Sequence, residues 1–271
     1  MTARPSRLVL LGHPVRHSFS PRFQNAALRH IGVPLEYEAL DVPPEELAAR
    51  VRALVAERAA GNVTIPHKER VYALCARRTA LAERAGAVNT FWVDDDGVLA
   101  GDNTDVGGFD ALAAHVLRGP PRDVRVALLG AGGAAAAVLT AVERWPGCEV
   151  TLQNRSEERL RRLATRFPVV TRTTTAADEA VRGCALVVNA TPVGLEGDDV
   201  PVPAAALAGG AAVADLVCRR GETAWVRAAR ARGHAAADGL VMLVEQGALA
   251  FERWLGCAAP REVMRRALAC A

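Results

Sequence analysis

Val124-Arg125-Val126-Ala127-Leu128-Leu129-Gly130-Ala131-Gly132-Gly133-Ala134-Ala135 is the run that decides the fold. Its first half is a near-continuous apolar strand of the kind buried on both faces of a parallel sheet. The glycines follow without a break and lead into a helix expected to run through Trp145. Glycine-rich text alone carries little weight in an Ala/Gly-rich chain. Here a strand precedes it, a helix follows, and a second strand is expected at 149–153, which is the context that the G-x-G-x-x-A fingerprint requires. In that fingerprint glycines allow a tight turn and close backbone approach, and the helix N-terminus faces the pyrophosphate of a dinucleotide. Strands at 186–189 and 211–215, with helices between them, and a short strand and turn at 235–239 extend the pattern. The expectation is a Rossmann-type domain over residues 106–239 of an α/β protein.

Downstream of the glycines, the end of the second strand sorts the cofactor. An enzyme preferring NAD carries Asp or Glu there for the adenosine ribose hydroxyls, whereas this chain reads Gln153-Asn154-Arg155-Ser156, with Arg159 one turn on. An acid would repel a 2′-phosphate and arginines attract it, so NADP is expected. Asn189-Ala190-Thr191-Pro192-Val193-Gly194 and Asp215-Leu216-Val217-Cys218 end two further strands, where a doubly wound sheet holds the nicotinamide half. A long helix over 240–255 is expected to return to the first domain and carry Gln246 with it.

Upstream, Gly119-Pro120-Pro121 reads as a linker, and residues 1–105 with 240–271 as a second α/β domain built on a mixed sheet. A strand at 7–11 ends at Gly12-His13-Pro14. Ser18 and Ser20 follow, just before a helix over 22–30 with Phe23, Ala26, Ala27 and Ile31 as its apolar stripe. A strand at 35–39, a helix opened by Pro44-Glu45-Glu46-Leu47, and a strand at 62–64 ended by Pro66 come next. Lys68 then falls in the first turn of a helix at a strand's C-terminal end, where open α/β sheets present their chemistry. A strand over 85–93, the hairpin turn Asp94-Asp95-Asp96-Gly97, and Gly101-Asp102-Asn103-Thr104-Asp105 ahead of a helix to Leu117 complete this half. Lys68 is the only lysine among 33 Lys plus Arg, so charge alone does not explain it. Lysine can be tuned to release its proton, and arginine cannot. Asparagine is also scarce, six in all, and apart from Asn25 they stand in short polar clusters, at Asn62, Asn89, Asn103, Asn154 and Asn189, that with Lys68 look like parts of one site. Asp105 and Ser20 also fit plain helix N-caps, and the residue pattern leaves both readings open.

Bulk properties bound the rest. A chain of 271 residues accommodates two domains, each with its own core. The net charge of +3, with arginines interspersed among glutamates as in Glu157-Glu158-Arg159-Leu160-Arg161-Arg162, describes a solvated surface and not a nucleic-acid footprint. The apolar run 8–11 is too short for a signal-peptide core, and no run approaches membrane-spanning length, so the cytoplasm is expected. Six cysteines without metal-ligand spacing support neither a disulfide framework nor a metal site, and most are expected to be buried.

Ser18-Phe19-Ser20-Pro21, the run from Asn62 to Lys68, Gly86-Ala87-Val88-Asn89-Thr90, the run from Gly101 to Asp105, the run from Gly130 to Ala135, Asn154-Arg155-Ser156 and Asn189-Ala190-Thr191, in this order, resemble the NADP-dependent shikimate dehydrogenase family. The resemblance implies reversible reduction of 3-dehydroshikimate by NADPH in aromatic amino-acid biosynthesis. By similarity Lys68 and Asp105 are the catalytic pair, and Ser18 and Ser20 hold the substrate carboxylate. Thr64, Asn89, Asp105 and Gln246 contact the ring hydroxyls, with Asn62 supporting the pocket. Gly130, Ala131, Gly132, Gly133, Ala134, Asn154, Arg155, Ser156, Arg159, Thr191, Leu216 and Gly239 match the family's cofactor contacts. Cys218 departs from it, standing where the family usually has tyrosine, a loss of roughly 0.5 to 1.5 kcal/mol if one substrate hydrogen bond goes with it. Alternatives within reach of the same residues are a quinate/shikimate dehydrogenase using NAD and a non-catalytic NADP-binding relative. The implied partner is a small molecule, shikimate or 3-dehydroshikimate; a homodimer is compatible with this reading, and no nucleic acid or membrane is implied.

Overall fold

A computed structural model describes residues 4–269. Two compact units emerge: one comprises the described residues up to Asp105 together with those from Val244 onward, the other Val106–Leu243.

The first unit holds a six-stranded mixed sheet. Its strands are β1 (Leu8–Gly12), β2 (Tyr37–Asp41), β3 (Ala60–Val63), β4 (Arg77–Arg78), β5 (Thr90–Val93) and β6 (Leu99–Asp102), in the spatial order β2-β1-β3-β5-β6-β4. β1, β2 and β3 are parallel, β5 runs antiparallel to β3, and β6 antiparallel to β5. This register brings together the C-terminal ends of β1, β3 and β6 and the start of β5, since Asn62 pairs with Thr90 and Thr90 with Asp102. The helices α1 (Ser20–His30), α2 (Leu47–Ala56), α3 (Lys68–Leu74) and α4 (Ala80–Ala85) connect these strands. Val9, Leu11, Val51, Leu54, Val63, Val71, Val88 and Phe91 form its core. Gly61 is required by the pairing itself: a Cβ there would lie 2.0 Å from the Val9 carbonyl oxygen of β1. Gly61→Ala is therefore expected to cost about 1–3 kcal/mol or more, because backbone must move to relieve the clash. A thermal midpoint several degrees lower checks it.

The second unit is an all-parallel sheet of β7 (Arg125–Leu129), β8 (Glu149–Gln153), β9 (Val170–Thr174), β10 (Leu186–Asn189), β11 (Ala212–Asp215) and β12 (Ala236–Ala237), ordered β12-β11-β10-β7-β8-β9. Strand order reverses between β7 and β10, the doubly wound arrangement whose ligand crevice opens at the strands' carboxyl ends. Its helices are α5 (Asp105–Leu117), whose first residue still belongs to the first unit, α6 (Gly133–Val142), α7 (Glu157–Ala164), α8 (Ala177–Ala180) and α9 (Ala224–Ala231). Two helices close the chain, α10 (Leu240–Leu255) and α11 (Arg261–Ala269).

Several expectations needed correction. The run 85–93 is not one strand. Thr79 caps α4 by accepting from the Ala82 N–H, and Gly86 ends that helix at φ 66°, a left-handed cap that glycine adopts without strain. Only Thr90–Val93 is extended. Between β10 and β11 the structure has a single 3-10 turn, Ala204–Ala206, in place of the expected helix. α6 stops at Val142, before Trp145. Ser20 does not cap α1: Phe19 occupies the N-cap position, and Ser18 Oγ accepts from the Ser20 N–H at 3.2 Å. The buried face of α1 is Ser20, Phe23, Gln24, Ala27 and Leu28, leaving Ala26 and Ile31 only half-buried. Cys75 and Cys184 are buried, Cys148 and Cys218 half-buried and Cys257 exposed; Cys270 lies outside the described residues. Burial pushes the Cys75 thiol up to about 12, so it acts as an apolar packing group.

Candidate active site

The converging strand ends of the first unit carry most of the candidate substrate-site residues. After β3 the chain turns at Pro66, and Lys68 is the first residue of α3. His67 anchors that turn: its ring is fully buried and its Nε2 lies 2.7 Å from the Val42 carbonyl oxygen beyond β2. The Val88 N–H donates to the Lys68 carbonyl, tying α3 to the segment that enters β5. Lys68 Nζ donates to Asp105 Oδ2 at 2.6 Å, the two side chains being 21 % and 9 % exposed. An ion pair this sheltered is not an ordinary solvated surface pair, whose partners trade freely with water.

Asp105 arrives from the end of β6 and opens α5, so its carboxylate also sits where a helix N-terminus favours negative charge. Its other oxygen accepts from Asn89 Nδ2 at 2.8 Å. Asn89 is fully determined: its Oδ1 accepts from the Thr104 N–H at 2.7 Å, which turns the amide nitrogen toward Asp105, Thr104 Oγ1 and Gln246 Oε1. The structure thus joins Lys68, Asp105, Asn89 and Gln246 directly. Thr64 closes the end of β3, its N–H bonded to the Leu11 carbonyl of β1. Ser18 and Ser20 stand at the start of α1. One turn on, Gln24 Nε2 donates to the Gly247 carbonyl at 3.0 Å, beside Gln246 on α10. No group of His, Cys, Asp or Glu among the described residues is arranged to hold a metal ion.

The second unit forms a separate cradle at the carboxyl ends of β7 and β10. Gly130 is needed by the fold, with φ 109° and a would-be Cβ 2.8 Å from the Ala190 carbonyl oxygen. Gly132 and Gly133 are different: a Cβ on either meets nothing within 4 Å. No packing among the described residues calls for glycine at those two positions, so the open space at the start of α6 fits a group that approaches backbone closely, as a pyrophosphate does. Ala131 and Ala134 flank it, half-buried. Asn189 Oδ1 accepts from the N–H and Oγ1 of Thr191, and Asn189 Nδ2 donates to Asp215 Oδ1, so the two strand ends are braced together. Burial raises the Asp215 carboxyl above the usual carboxylate range. Leu216 and Cys218 pack against Gly239, where a Cβ would come within 2.6 Å of the Leu216 carbonyl oxygen and of Cys218 Sγ. At the end of β8, Asn154 Nδ2 bonds to the Ser156 carbonyl and Ser156 caps α7. Arg155 and Arg159 are exposed and pair with no carboxylate among the described residues, whereas Glu157 holds Arg161 at 2.8 Å.

Known proteins resemble this chain over nearly its whole length. The family model described as "Shikimate dehydrogenase substrate binding domain" matches residues 10–91, and that described as "Shikimate 5'-dehydrogenase C-terminal domain" matches residues 239–269. The "Shikimate dehydrogenase (NADP(+))" of Rubrobacter xylanophilus is 47% identical over 270 residues, covering 96% of this chain and 94% of that protein. The chain belongs to the shikimate dehydrogenase family. Among solved structures, the shikimate dehydrogenase of Aquifex aeolicus superposes with a TM-score of 0.90 at 33% identity, covering 98% of each chain. That of Thermus thermophilus, in complex with NADP(H) and shikimate, gives 0.88 at 39% identity, covering 97% of this chain and 98% of the other.

Within this member of the family, the first unit also contains polar side chains that sequence reading did not single out. Thr90, Thr104 and Tyr37 are buried in the hydrogen-bond network behind Asn89 and Asn62. Thr90 ends the Gly86–Thr90 run and Thr104 stands inside the Gly101–Asp105 run, so both are legible as neighbours. Tyr37 is not: it lies in a strand 25 residues before its partner, Asn62, with only its rarity, as one of two tyrosines, to mark it.

Proposed function

We propose that this protein catalyses the reversible, NADPH-dependent reduction of 3-dehydroshikimate to shikimate in aromatic amino-acid biosynthesis, with the first unit binding substrate and the second binding NADP. The observation that carries the reading is the sheltered 2.6 Å contact between Lys68 and Asp105, built from strand ends that also bear Asn89 and Gln246. Bound NADPH supplies the hydride that the carbonyl carbon accepts. Reduction leaves negative charge on the carbonyl oxygen, and Lys68 Nζ delivers a proton to it as that charge develops. Asp105 holds the ammonium in position, and Asn89 in turn fixes the Asp105 carboxylate. Thr64, Asn89, Asp105 and Gln246 orient the ring hydroxyls. Ser18 and Ser20 donate to the substrate carboxylate, setting which ring carbon meets the cofactor. Gly130 to Ala134 receive the pyrophosphate, Asn154, Ser156, Arg155 and Arg159 the adenosine ribose and its 2′-phosphate, and Thr191, Leu216 and Gly239 the nicotinamide side. No helix among the described residues is long and apolar enough to cross a membrane, in keeping with a water-soluble substrate and the proposed cytoplasmic setting.

The test is an absorbance assay at the reduced-nicotinamide band with shikimate or quinate and NADP+ or NAD+. Shikimate with NADP+ is the expected best pair. Oxidation must begin with an unprotonated amine at Lys68, so the oxidation rate is expected to climb as the solution is made more alkaline. Preference for quinate with NAD+, or a flat pH profile, contradicts the proposal.

A further inference from the structure

Behind the Lys68–Asp105 pair a buried chain of hydrogen bonds crosses the sheet from β2 to the start of α5. Its far end is Tyr37, whose hydroxyl lies 2.8 Å from Asn62 Oδ1. Asn62 Nδ2 donates to the Asn89 carbonyl at 3.1 Å and to Thr90 Oγ1 at 3.0 Å. Thr90 Oγ1 lies 3.1 Å from Asn89 Oδ1, and Asn89 Nδ2 lies 2.8 Å from Asp105 Oδ1. All five side chains are buried, Thr90 completely.

Donor and acceptor roles along this chain are not free. The Asn89 carbonyl can only accept, so the Asn62 amide must point its nitrogen there, which leaves Asn62 Oδ1 facing Tyr37 and makes the phenol the donor. Thr90 Oγ1 accepts from Asn62 and has one proton left, which it directs at Asn89 Oδ1 or at Thr104 Oγ1, 3.0 Å away. Asn89 then presents only N–H bonds to Asp105. Tyr37 is itself clamped: Asn25 on α1 bonds both its N–H and its carbonyl, and its ring packs against Trp254 of α10 with centroids 6.0 Å apart. Tyr37 is thus the fixed donor that holds the far side of the Asn62 amide, whose N–H groups in turn brace the Asn89 carbonyl and Thr90 Oγ1.

We infer that Tyr37 is a positioning residue for the reaction proposed above, acting through Asn62, Thr90 and Asn89 to orient the Asp105 carboxylate; this rests on Lys68 and Asp105 being the catalytic pair. Without the phenol hydroxyl, Asn62 Oδ1 loses its donor. An Asn62 side chain held on one side only is free to shift, and its N–H bonds to the Asn89 carbonyl and Thr90 Oγ1 loosen with it, so the segment that carries the Asn89 side chain to Asp105 loses a brace.

The experiment is a double-mutant cycle of Tyr37→Phe and Thr90→Val, read as kcat for shikimate oxidation and KM for NADP+. Each single variant is expected to lose about tenfold in kcat, the order of one buried hydrogen bond, with KM for NADP+ unchanged within about twofold. Because both break one chain, the double variant is expected to be no slower than the slower single one. Losses that multiply in the double variant, or a Tyr37→Phe kcat within about twofold of the parent, overturn the inference. If Tyr37→Phe does not fold, Asn62→Asp replaces it in the cycle, since a carboxylate still accepts from Tyr37 and cannot donate to Thr90. Lys68→Arg is run alongside. Full turnover in that variant removes the underlying reading, whereas its loss beside a fully active Tyr37→Phe removes only the role of Tyr37.

Discussion

Lys68→Arg is expected to retain the fold and lose about 10²- to 10⁴-fold in kcat in both directions, the usual worth of a positioned proton donor. Arginine keeps the positive charge beside Asp105, so a purely electrostatic role for Lys68 would survive the change. Guanidinium does not give up its proton at working pH, and its planar fork cannot reproduce a single ammonium contact of 2.6 Å. The side chain is only 21 % exposed, so the larger head group also meets a confined space. Steady-state rates with shikimate and NADP+ check it, with circular dichroism confirming the fold. A rate near that of the parent would show that charge alone suffices and that the proton comes from elsewhere.

The second large effect lies in the other unit. Arg155→Ser combined with Arg159→Ser is expected to raise KM for NADP+ by about 100-fold or more while leaving KM for NAD+ nearly unchanged. Hydrogen bonds to charged groups are each worth about 1.5–3 kcal/mol, and every ~1.4 kcal/mol is a factor of ten in affinity. The two side chains are exposed and hold no carboxylate among the described residues, so their removal takes nothing from the folded chain itself. Arg161→Ser is the internal control, since Glu157 already engages that guanidinium. Equal losses for NADP+ and NAD+ would mean that the arginines do not read the 2′-phosphate.

How much of this was legible beforehand depended on how local the signal was. β8 and α10 fall where the pattern put them, and β7 within one residue, because continuous apolar strands and a long amphipathic helix announce themselves over their own length. Lys68 at the first turn of α3 followed from the proline two residues before it. The edge strand β9 was missed because Val-Thr-Arg-Thr-Thr alternates no apolar face and lies exposed at the sheet's margin. α4 was missed because its short Ala-rich run continues into Gly86-Ala87-Val88, which reads equally well as the start of a strand; the Thr79 cap was the available clue. The meeting of Lys68 with Asp105, 37 residues apart, was reached only through family resemblance, since no periodicity spans that distance. The orientation of Asn89, set by the Thr104 backbone, requires atoms and not letters. Asp105 is the first residue of α5, and its carboxylate faces Lys68 and Asn89.

The central claim is that the reacting carbon–oxygen bond of the substrate lies against the Lys68–Asp105 pair, and a crystal structure with shikimate bound tests it most directly. The account predicts the oxidisable hydroxyl within about 2.6–3.2 Å of Lys68 Nζ, with the substrate carboxylate on Ser18 and Ser20 and ring hydroxyls on Asn89 and Gln246. Shikimate bound with that hydroxyl turned away from Lys68, its carboxylate bound elsewhere, would contradict it.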